Sequence, residues 1–553
     1  MEQVEDQLSN LPKIILHNIL SRLPEEDAAR TSVLSKAWLE IWYTFPYLSF
    51  CDSHFIGKSI QPLEEKQKKR KDFIDYAKSR LVRFQKQRLA IKTFKLNVLF
   101  ELGYMSKDVD LCLKLASESG VEVLELRNDH YKDDAGRECY VLPKGVIESK
   151  SLTKLVLTGR IKVDQAFMNH SIKFFSLREL ILLNVHLEDE QAIEHLISYC
   201  PLIELITLIF INGMKSNLSL HALQKLKMVH INGIKELYID EAPSLKSLNY
   251  YGEYLDTPFK IDSIRCENLK KLLISLNMTT IITNKWFLEL FQKFRFLESL
   301  ELRDCGTSEK INISSVQLKF LKLSNCSNLK EARIDAPNLL SCSTYYSFGS
   351  QKPILSFLRI SSQLEVCVVI VIDYFDVCYV REVIQNIKLQ NVMISLSLFI
   401  NIKPILDVPN PMLLDISSPP PRIKELDLHF VQKNETLISD LVVSLLLCCI
   451  PETISLHLDS SNRAFIEFLY KTLMRRKDVD CFCSSRDTKC WWHDLKDVKF
   501  TSYIESDKIN VAFVVLFYSI DVCTTSYHVV CLTYCVLEFD GPVNFASRSG
   551  VDV

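Results

Sequence analysis

Glycine is scarce in this chain, and the glycine-rich motifs that cradle phosphate groups are missing. The 553 residues include 13 glycines, and neither GxxxxGKS/T nor GxGxxG occurs among them. Both motifs use glycine to bring the backbone close to a phosphate, so their absence argues against nucleotide chemistry. GxSxG and HExxH are missing as well, and most of the 12 histidines stand alone. The sequence therefore predicts no catalytic triad and no enzyme.

An excess of charge of one sign is also lacking. Lysine and arginine number 66 and the acidic residues 68, which gives a net charge of -2. No global field draws the chain to nucleic acid or to an anionic membrane, so neither is predicted as a partner. The chain begins with MEQVEDQLSN, which is acidic and lacks the basic start and apolar run of a secretory signal. We expect an intracellular protein, in the nucleus, the cytoplasm or both.

Cysteine, by contrast, is plentiful, with 18 residues. Many lie in apolar surroundings, as do Cys305, Cys326, Cys342 and Cys367. A reduced thiol in such a place behaves as a small hydrophobic side chain, so we expect no disulfide framework.

The N-terminal segment carries two apolar stripes at helical spacing. One precedes Pro24 and the other follows it, and Pro24 with the acidic residues behind it is typical of the start of a second helix. A few short helices cannot close a core alone, so these stripes should cover another surface, in this chain or in a partner. The stripes are Leu16, Ile19, Leu20 and Leu23, then Leu34, Trp38 and Trp42.

The residue order of this segment resembles the F-box of plant F-box proteins. In that family the helices dock on a Skp-type adaptor, which links the protein to a cullin-RING ubiquitin ligase. Ala37 departs from the pattern, because the family usually has Arg there. The matching run includes Ile19-Leu20-Ser21-Arg22-Leu23-Pro24, Asp27 and Arg30-Thr31-Ser32-Val33-Leu34-Ser35-Lys36. The resemblance implies adaptor contacts by Leu11, Pro12, Ile15, Ile19, Leu20, Leu23, Pro24, Val33, Leu34, Trp38 and Trp42. Periodicity alone leaves open an amphipathic hairpin packed on its own protein.

Residues 51–100 are predicted to form a charged linker and a helix. The basic run that ends at Lys71 has two interpretations, a nuclear localisation patch or the solvated face of a helix. We favour the helix face, because the run leads into an amphipathic pattern. That pattern consists of Phe73, Ile74, Tyr76, Ala77, Leu81 and Phe84.

Beyond residue 120 the motif LxxLxL recurs. Intervals such as that from Leu152 to Leu177 are typical of leucine-rich repeats, in which each unit gives one strand and a return segment. The shorter intervals, such as that from Leu318 to Leu329, leave no room for a strand plus a helix, so they predict a tight return or an irregular register. Asn184 and Cys305 are expected to satisfy buried turn groups. The eight copies are Leu152/Leu155/Leu157, Leu177/Leu180/Leu182, Leu223/Leu226/Met228, Ile234/Leu237/Ile239, Leu297/Leu300/Leu302, Leu318/Leu321/Leu323, Leu329/Ala332/Ile334 and Ile423/Leu426/Leu428.

These repeats look like those behind the F-box in plant F-box/leucine-rich-repeat proteins, notably from Leu321 to Leu329 and from Ile334 to Leu339. We therefore predict an α/β protein, with a short all-helical F-box at 8–50 and an irregular leucine-rich-repeat solenoid with a parallel strand ladder at 101–438. The leucines themselves form the inner wall, and recognition belongs to the outward residues.

Residues 439–506 are predicted to form a C-terminal cap, with two helices around a strand after a proline-rich loop. The segment from Cys490 to Lys499 resembles the FBD region of plant F-box proteins, where such residues are structural. Cys481, Cys483, Cys490 and His493 have a spacing that suggests zinc, but it is not a standard finger. We interpret them as structural and predict no metal and no cofactor.

Residues 507–553 break the preceding pattern. Asp521 lies near the middle of the only apolar window long enough to span a membrane, which disfavours an anchor. The remaining alternatives are a pair of strands at the end of the solenoid and a dispensable tail. We favour the tail, because the FBD-like segment is complete by Tyr503.

Taken with the resemblance, the sequence predicts a substrate-recognition subunit of an SCF-type ubiquitin ligase. A Skp-type adaptor and, through it, a cullin are the implied partners, and the repeats hold an unidentified protein target. One alternative is a leucine-rich-repeat scaffold that acts outside ubiquitination. Another is a receptor gated by a small molecule, although no basic cluster suits an anionic ligand.

Overall fold

The computed structural model divides into two compact units, residues 1–306 and 307–553. The described residues are 11–23, 25–53, 62–99, 102–128, 139–164, 172–213, 217–252, 259–347, 351–372, 377–388, 394–400, 421–430, 442, 445–446, 449–459, 495–504, 512–521 and 526–535. The first unit begins with short helices, and both units are built mainly from parallel strands.

The helices lie at the start of the chain and in the connections between strands. They are α1 (Lys13–Leu20), α2 (Glu25–Arg30), α3 (Lys36–Tyr43), α4 (Leu63–Lys86), α5 (Ser106–Glu118), α6 (Lys144–Ile147), α7 (Ala192–Ser198), α8 (Asn284–Lys293) and α9 (Val377–Gln385). Within the described part of the chain, no helix is both long and apolar enough to cross a membrane.

The strands of the first unit are mostly short. They are β1 (Tyr47–Cys51), β2 (Thr93–Asn97), β3 (Val123–Asn128), β4 (Tyr140–Val141), β5 (Lys154–Gly159), β6 (Ile161–Val163), β7 (Glu179–Leu183), β8 (His186–Leu187), β9 (Leu205–Ile209), β10 (Asn217–His221), β11 (Met228–Asn232), β12 (Glu236–Asp240), β13 (Ser247–Gly252), β14 (Lys271–Leu276), β15 (Ile281–Ile282) and β16 (Ser299–Arg303). At the unit boundary lies β17 (Gly306–Thr307).

The second unit continues the same alternation of strand and return. Its strands are β18 (Lys310–Ser314), β19 (Phe320–Ser324), β20 (Glu331–Asp335), β21 (Ser341–Ser347), β22 (Ile354–Arg359), β23 (Glu365–Ile372), β24 (Ile387–Lys388), β25 (Ile394–Ile400), β26 (Arg422–Phe430), β27 (Ile450–Asp459), β28 (Asp497–Ile504), β29 (Ala512–Asp521) and β30 (Ser526–Cys535).

One parallel ladder runs through each unit, which confirms the predicted α/β class. In the first unit the paired order is β1, β2, β3, β5, β7, β9, β11, β13, β14 and β16. In the second unit it is β19, β21, β23, β25, β26, β27 and β28. The first ladder thus begins at Tyr47, ahead of the repeats at 101–438 from which a solenoid was predicted.

A second, smaller set of parallel ladders explains the short repeat intervals. β12 pairs with β10 rather than with β11, and β18, β20, β22 and β24 pair in succession. The short interval from Leu318 to Leu329 therefore leads from β19 in the main ladder to β20 in the smaller one. A single repeat therefore contributes two strands, one to the main ladder and one to the smaller ladder. The chain returns to the main ladder only at β21, where Cys342 is the register partner of Leu321.

The predicted repeat residues are buried, except in one copy, where the prediction is shifted along the sequence relative to the buried residues. The copy at Leu223, Leu226 and Met228 was placed too early in the chain, because β11 begins at Met228 and buries Val229 and Ile231. Met228 is only half-buried. The true motif there is Leu226, Val229 and Ile231, with the same spacing. Apolar residues recur at every third position, at Leu223, Leu226 and Val229, so the pattern can start at either leucine.

Left-handed backbone occurs in the turns after some strands, at Asn184 after β7 and at Asp304, just before Cys305, after β16. Asn184 has φ 56° and donates its backbone N–H to the Ile209 carbonyl at 3.0 Å, while its side chain is exposed. The buried Cys305 thiol donates to the Arg303 carbonyl at 3.0 Å, and burial raises its pKa to about 12. The expected turn role is confirmed for the Cys305 side chain. At Asn184 the backbone conformation is what serves the turn.

Ten cysteines whose side chains the structure describes are free thiols. Cys305 and Cys342 are fully buried, whereas Cys326 and Cys367 are only partly so. The C-terminal cysteines Cys481, Cys483 and Cys490, with His493, lie outside the described residues, so the zinc alternative stays open there. The loop at 401–420 and most of the predicted helices at 439–473 also lie outside them.

The strand predicted for the C-terminal cap is interior to the ladder rather than at its end. β27, predicted as the strand of the cap, pairs with β26 on one side and β28 on the other. β29 then pairs antiparallel with β28, and β30 antiparallel with β29. The described backbone of the tail thus follows the strand alternative, while its dispensability stays a prediction.

A chain that stops at Asp507 tests whether the tail is needed. It keeps β28 whole, because that strand ends at Ile504. We expect it to retain adaptor binding and its melting temperature and to aggregate less, since two strands rich in Val, Phe, Tyr and Cys are removed. Thermal melts and light scattering of both lengths provide the comparison. A large drop in melting temperature would show that β29 and β30 belong to the working fold.

Candidate functional site

The N-terminal helical unit has a small core of its own. Its helices α1, α2 and α3 bury a shared apolar cluster, and three half-buried side chains pack around it. The buried members are Leu16, Leu20, Ala28, Trp38, Ile41 and Phe45, and the half-buried ones are Leu11, Ile19 and Trp42. The expectation that this unit cannot close a core by itself is therefore wrong in part, because three short helices do enclose one layer of side chains.

Ser35 caps the start of α3, so the predicted stripe of Leu34, Trp38 and Trp42 does not lie on a single helix. Ser35 has extended backbone, φ −161° and ψ 168°, and its Oγ accepts a hydrogen bond from the Trp38 backbone N–H at 3.2 Å. The chain before it forms α2 and a 3-10 turn at Thr31–Val33, as the start after Pro24 predicts. Leu34 therefore lies outside α3 and is 68% exposed, whereas Trp38 inside it is buried. The two residues do not share one face.

Five apolar side chains of this unit remain exposed, and we call them the exposed apolar set: Ile14, Ile15, Leu23, Val33 and Leu34. Val33 is 84% exposed and Ile14 78%. Large apolar side chains scattered singly on a surface need no explanation, but five in so short a segment indicate a contact surface. They come from α1, from the turn after it, and from the segment between α2 and α3.

The structure sorts the adaptor residues implied by the resemblance into surface and core. Ile15, Leu23, Val33, Leu34 and Pro12 are exposed, and Leu11, Ile19 and Trp42 are half-buried. Leu20 and Trp38 are 1% and 6% exposed, so their side chains face the unit's own core. Pro24 lies outside the described residues. The adaptor contacts of Leu20 and Trp38 stay a prediction, and in the free chain both side chains belong to the core beneath the surface.

Sequence reasoning missed Ile14, one of the most exposed members of the set. The apolar stripe of α1 runs through Leu16 and Leu20, and Ile14 lies off that stripe. A large apolar residue on the polar side of an amphipathic helix was the available signal.

His17 links the two ends of the helical unit. Its Nε2 lies 3.3 Å from the Ile41 carbonyl and 3.3 Å from the Thr44 hydroxyl. Burial lowers the pKa of His17, against the raising effect of the Ile41 hydrogen bond, and Lys13 lowers it further. Because the unfolded chain takes up this proton more readily, the unit loses stability as the pH falls below about 6.5.

Helix α4 attaches the helical unit to the first ladder. The guanidinium of Arg80 stacks over the Trp42 ring at 4.9 Å and donates to the Trp42 carbonyl at 3.1 Å, and Arg83 lies 3.7 Å from the Tyr43 ring centroid. The helix predicted from Phe73 onward is confirmed, and of its predicted apolar residues only Tyr76 is exposed. The basic run lies on this helix, and its nuclear role stays a prediction.

A second candidate surface is the outward face of the first ladder. Its centre is apolar, because Ile181, Leu183 and Ile209 point outward and are half-buried, and Leu183 is the register partner of Ile209. Ion pairs lie farther along the ladder on both sides, with Arg127 and Glu125 at 2.5 Å on β3, beyond β5, and Arg303 and Glu301 at 2.6 Å on β16, beyond β13 and β14. An apolar centre inside a charged border is typical of protein-binding surfaces. The outward residues of β7, β9 and β11 in and beside this centre are Glu179, Ile181, Leu183, Leu205, Thr207, Ile209, Met228 and His230.

A cleft of about 760 Å³ in the first unit bears on the small-molecule alternative. Tyr238, Phe259 and Trp286 contribute to its walls. Its two cations have carboxylate partners, since Lys260 contacts Glu236 and Arg265 lies 3.7 Å from Asp240. An anionic ligand would therefore compete with these ion pairs, and we assign no ligand to the cleft.

Comparison with known proteins identifies both parts of the chain. Residues 8–50 match the F-box domain model, and residues 109–277 match a model described as FBD-associated F-box protein At5g56370, LRR repeats. The chain therefore carries a segment that matches an F-box domain, followed by repeats that match the leucine-rich repeats of an FBD-associated F-box protein. The exposed apolar set belongs to the F-box, and the apolar centre of the ladder belongs to the matched repeats.

The relatives are Arabidopsis thaliana F-box proteins. The chain is similar to Putative F-box protein At3g58860, with 29% identity over 58% of this chain and 65% of the relative. It is also similar to Putative F-box/FBD/LRR-repeat protein At4g00315, with 26% identity over 60% of this chain and 81% of the relative. F-box/LRR-repeat protein At3g26922 is 28% identical over 51% of this chain and 85% of its own. The match to Putative F-box/LRR-repeat protein At3g58880 spans about half of that relative, 53%.

Proposed function

We propose that this chain is the substrate-recognition subunit of an SCF-type ubiquitin ligase. F-box domains generally bind Skp-type adaptors, and the observation that carries the proposal is the exposed apolar set of this F-box. Val33 and Leu34, exposed by 84% and 68%, stand on a turn fixed by the Ser35 cap. Burying such side chains against a partner gains roughly 25 cal/mol per Å² of apolar area.

The outward face of the first ladder holds the protein target. Its apolar centre around Leu183 and Ile209 supplies area to bury, and the ion pairs farther along the ladder supply a polar border. Transfer of ubiquitin takes place on other subunits, so we assign no enzymatic activity to this chain. Its contribution is positional, because it raises the concentration of the target near the charged ubiquitin carrier.

Two full-length variants test whether the adaptor and the target bind separate surfaces, because each variant should lose a different partner. Val33→Asp with Leu34→Asp removes the adaptor surface, and Leu183→Arg with Ile209→Arg removes the target surface. We use the full chain because β1, which follows the F-box helices directly, is paired with β2 of the ladder. A cut after the F-box would break that pairing.

Affinity capture of each variant from plant cells, with the proteasome blocked, gives the readout. We expect the first variant to lose the adaptor and keep the target, and the second to keep the adaptor and lose the target. Loss of the target in both variants would refute the separation of surfaces. Partners that bind without any adaptor, in the unmodified chain, would favour the scaffold alternative.

A further inference from the structure

Three side chains of potential metal ligands meet on the outward face of the second unit's ladder. Among the described residues, Asp427, His429 and His457 form a group of three whose ligand atoms all lie within 4.8 Å of one another. Their spacing follows from the sheet. Asp427 and His429 are two apart on β26, so they share a face, and His457 on β27 is the register partner of His429.

The carboxylate of Asp427 is the centre of the group. His429 Nε2 lies 2.9 Å from Oδ2 and His457 Nε2 lies 2.8 Å from Oδ1. The His457 approach lacks hydrogen-bond alignment, so Oδ1 is buried without a hydrogen-bond donor among the described residues. Ser397 also donates its hydroxyl to Oδ2 at 3.3 Å.

The packing around the two imidazoles holds them in place. Their rings stack in parallel with centroids 4.0 Å apart, and His429 stacks on Phe399 at 4.3 Å. Two imidazole nitrogens thus lie 2.9 and 2.8 Å from one carboxylate and come from adjacent strands. Burial raises the pKa of Asp427, but the His429 and His457 contacts lower it more, so that its pKa lies below the ordinary value.

We propose that Asp427, His429 and His457 bind a divalent cation of the zinc class. Two imidazole nitrogens and one carboxylate oxygen form a ligand set typical of zinc, and three protein ligands leave a fourth position open. That position lies on the outward face of the ladder, since Leu426 and Leu428 of the same strand point into the core. The ion joins β26 to β27. This assignment departs from the sequence prediction, which expects no metal.

Zinc content of the purified full chain tests the proposal. After dialysis against metal-free buffer with a weak chelator, we expect about one zinc per unmodified chain. Asp427→Asn and His429→Gln should each lower zinc affinity at least tenfold. Glu425→Gln is the matched control, because it makes the same charge change on the same strand, outside the group, and should retain zinc. An unmodified chain that takes up no zinc, or variants that bind it equally well, would overturn the site.

Two further measurements distinguish this site from the C-terminal cysteines as the source of bound zinc. Cys490→Ser should leave the zinc content unchanged, and its loss there would assign the metal to the C-terminal cysteines instead. Cobalt substituted into the unmodified chain should show the visible bands of nitrogen and oxygen ligation without sulfur charge transfer. That spectrum does not depend on whether the histidine variants fold, and a sulfur signature would overturn the proposal.

Discussion

Val33→Asp together with Leu34→Asp is expected to lower the affinity for a Skp-type adaptor at least roughly a hundredfold, while the protein stays folded. Each truncated apolar anchor of an interface costs about 2 kcal/mol or more, and a buried charge adds to that cost. Both side chains are exposed in the free chain, so their replacement leaves the core of the F-box intact. Titration calorimetry with purified adaptor measures the change.

The matched control is Leu288→Asp with Val316→Asp. These residues are 62% and 55% exposed and lie outside the F-box. We expect them to leave adaptor affinity unchanged, which would separate a local contact from a general effect of surface charge. An equal loss in the control pair, or wild-type affinity in the Val33 and Leu34 pair, would contradict the assignment of this surface.

Leu20→Ala with Trp38→Ala should also abolish adaptor binding, but by unfolding the F-box rather than by removing surface contacts. The sequence predicts these two as interface anchors, whereas the structure places them in the F-box core. Large-to-small changes in a core cost about 2 to 5 kcal/mol each, so this pair should unfold the F-box and leave the ladder folded. Far-UV circular dichroism of the two pairs distinguishes the routes, because only the core pair should lose helix.

Gly159→Ala is expected to destabilise the first ladder by more than about 3 kcal/mol. Gly159 has φ 92° at the end of β5, and a Cβ there would lie 2.0 Å from the Asn128 carbonyl oxygen on β3. Left-handed strain alone costs about 1 to 3 kcal/mol, and the clash with backbone requires two paired strands to separate. Denaturant unfolding followed by fluorescence measures the difference.

Gly145→Ala serves as its control. Gly145 lies in α6, and an added Cβ has open space around it. Because alanine is the better helix former, we expect no loss and a gain of up to about 1 kcal/mol. A Gly159→Ala protein as stable as this control would show that β3 and β5 are not packed as described.

The repeat pattern predicts the main ladder well, because the LxxLxL residues face the core and their spacing can be read directly from the sequence. It cannot place the register when apolar residues recur at every third position, as Leu223, Leu226 and Val229 show. It also cannot tell a tight return from a second ladder, because the pairing of β12 with β10 depends on strands of a neighbouring coil.

The F-box surface could be predicted as a segment but not as a set of side chains. Helical spacing marks Leu20 and Trp38 as apolar, and the same spacing serves a core and an interface equally. The choice depends on the Ser35 cap, which turns Leu34 outward and Trp38 inward. The position of the helix N-cap, and not the spacing of the apolar residues, therefore determines which of these side chains are exposed.

The metal-ligand group is discontinuous in sequence, because His429 and His457 lie on different strands and only strand register brings them together. A signal was available, since each histidine follows the last leucine of its motif, in Leu426-Asp427-Leu428-His429 and in Ile454-Ser455-Leu456-His457. Aligning the repeats by their leucines, and then comparing the outward positions, would have found it.

The most direct test of the proposed ligase role is the ubiquitination state of captured partners in plant cells with the proteasome blocked. The unmodified full chain should capture adaptor and cullin together with a target that carries ubiquitin chains. The Val33→Asp and Leu34→Asp chain should capture the same target without ubiquitin. A target whose ubiquitination does not differ between the two chains would contradict the proposal.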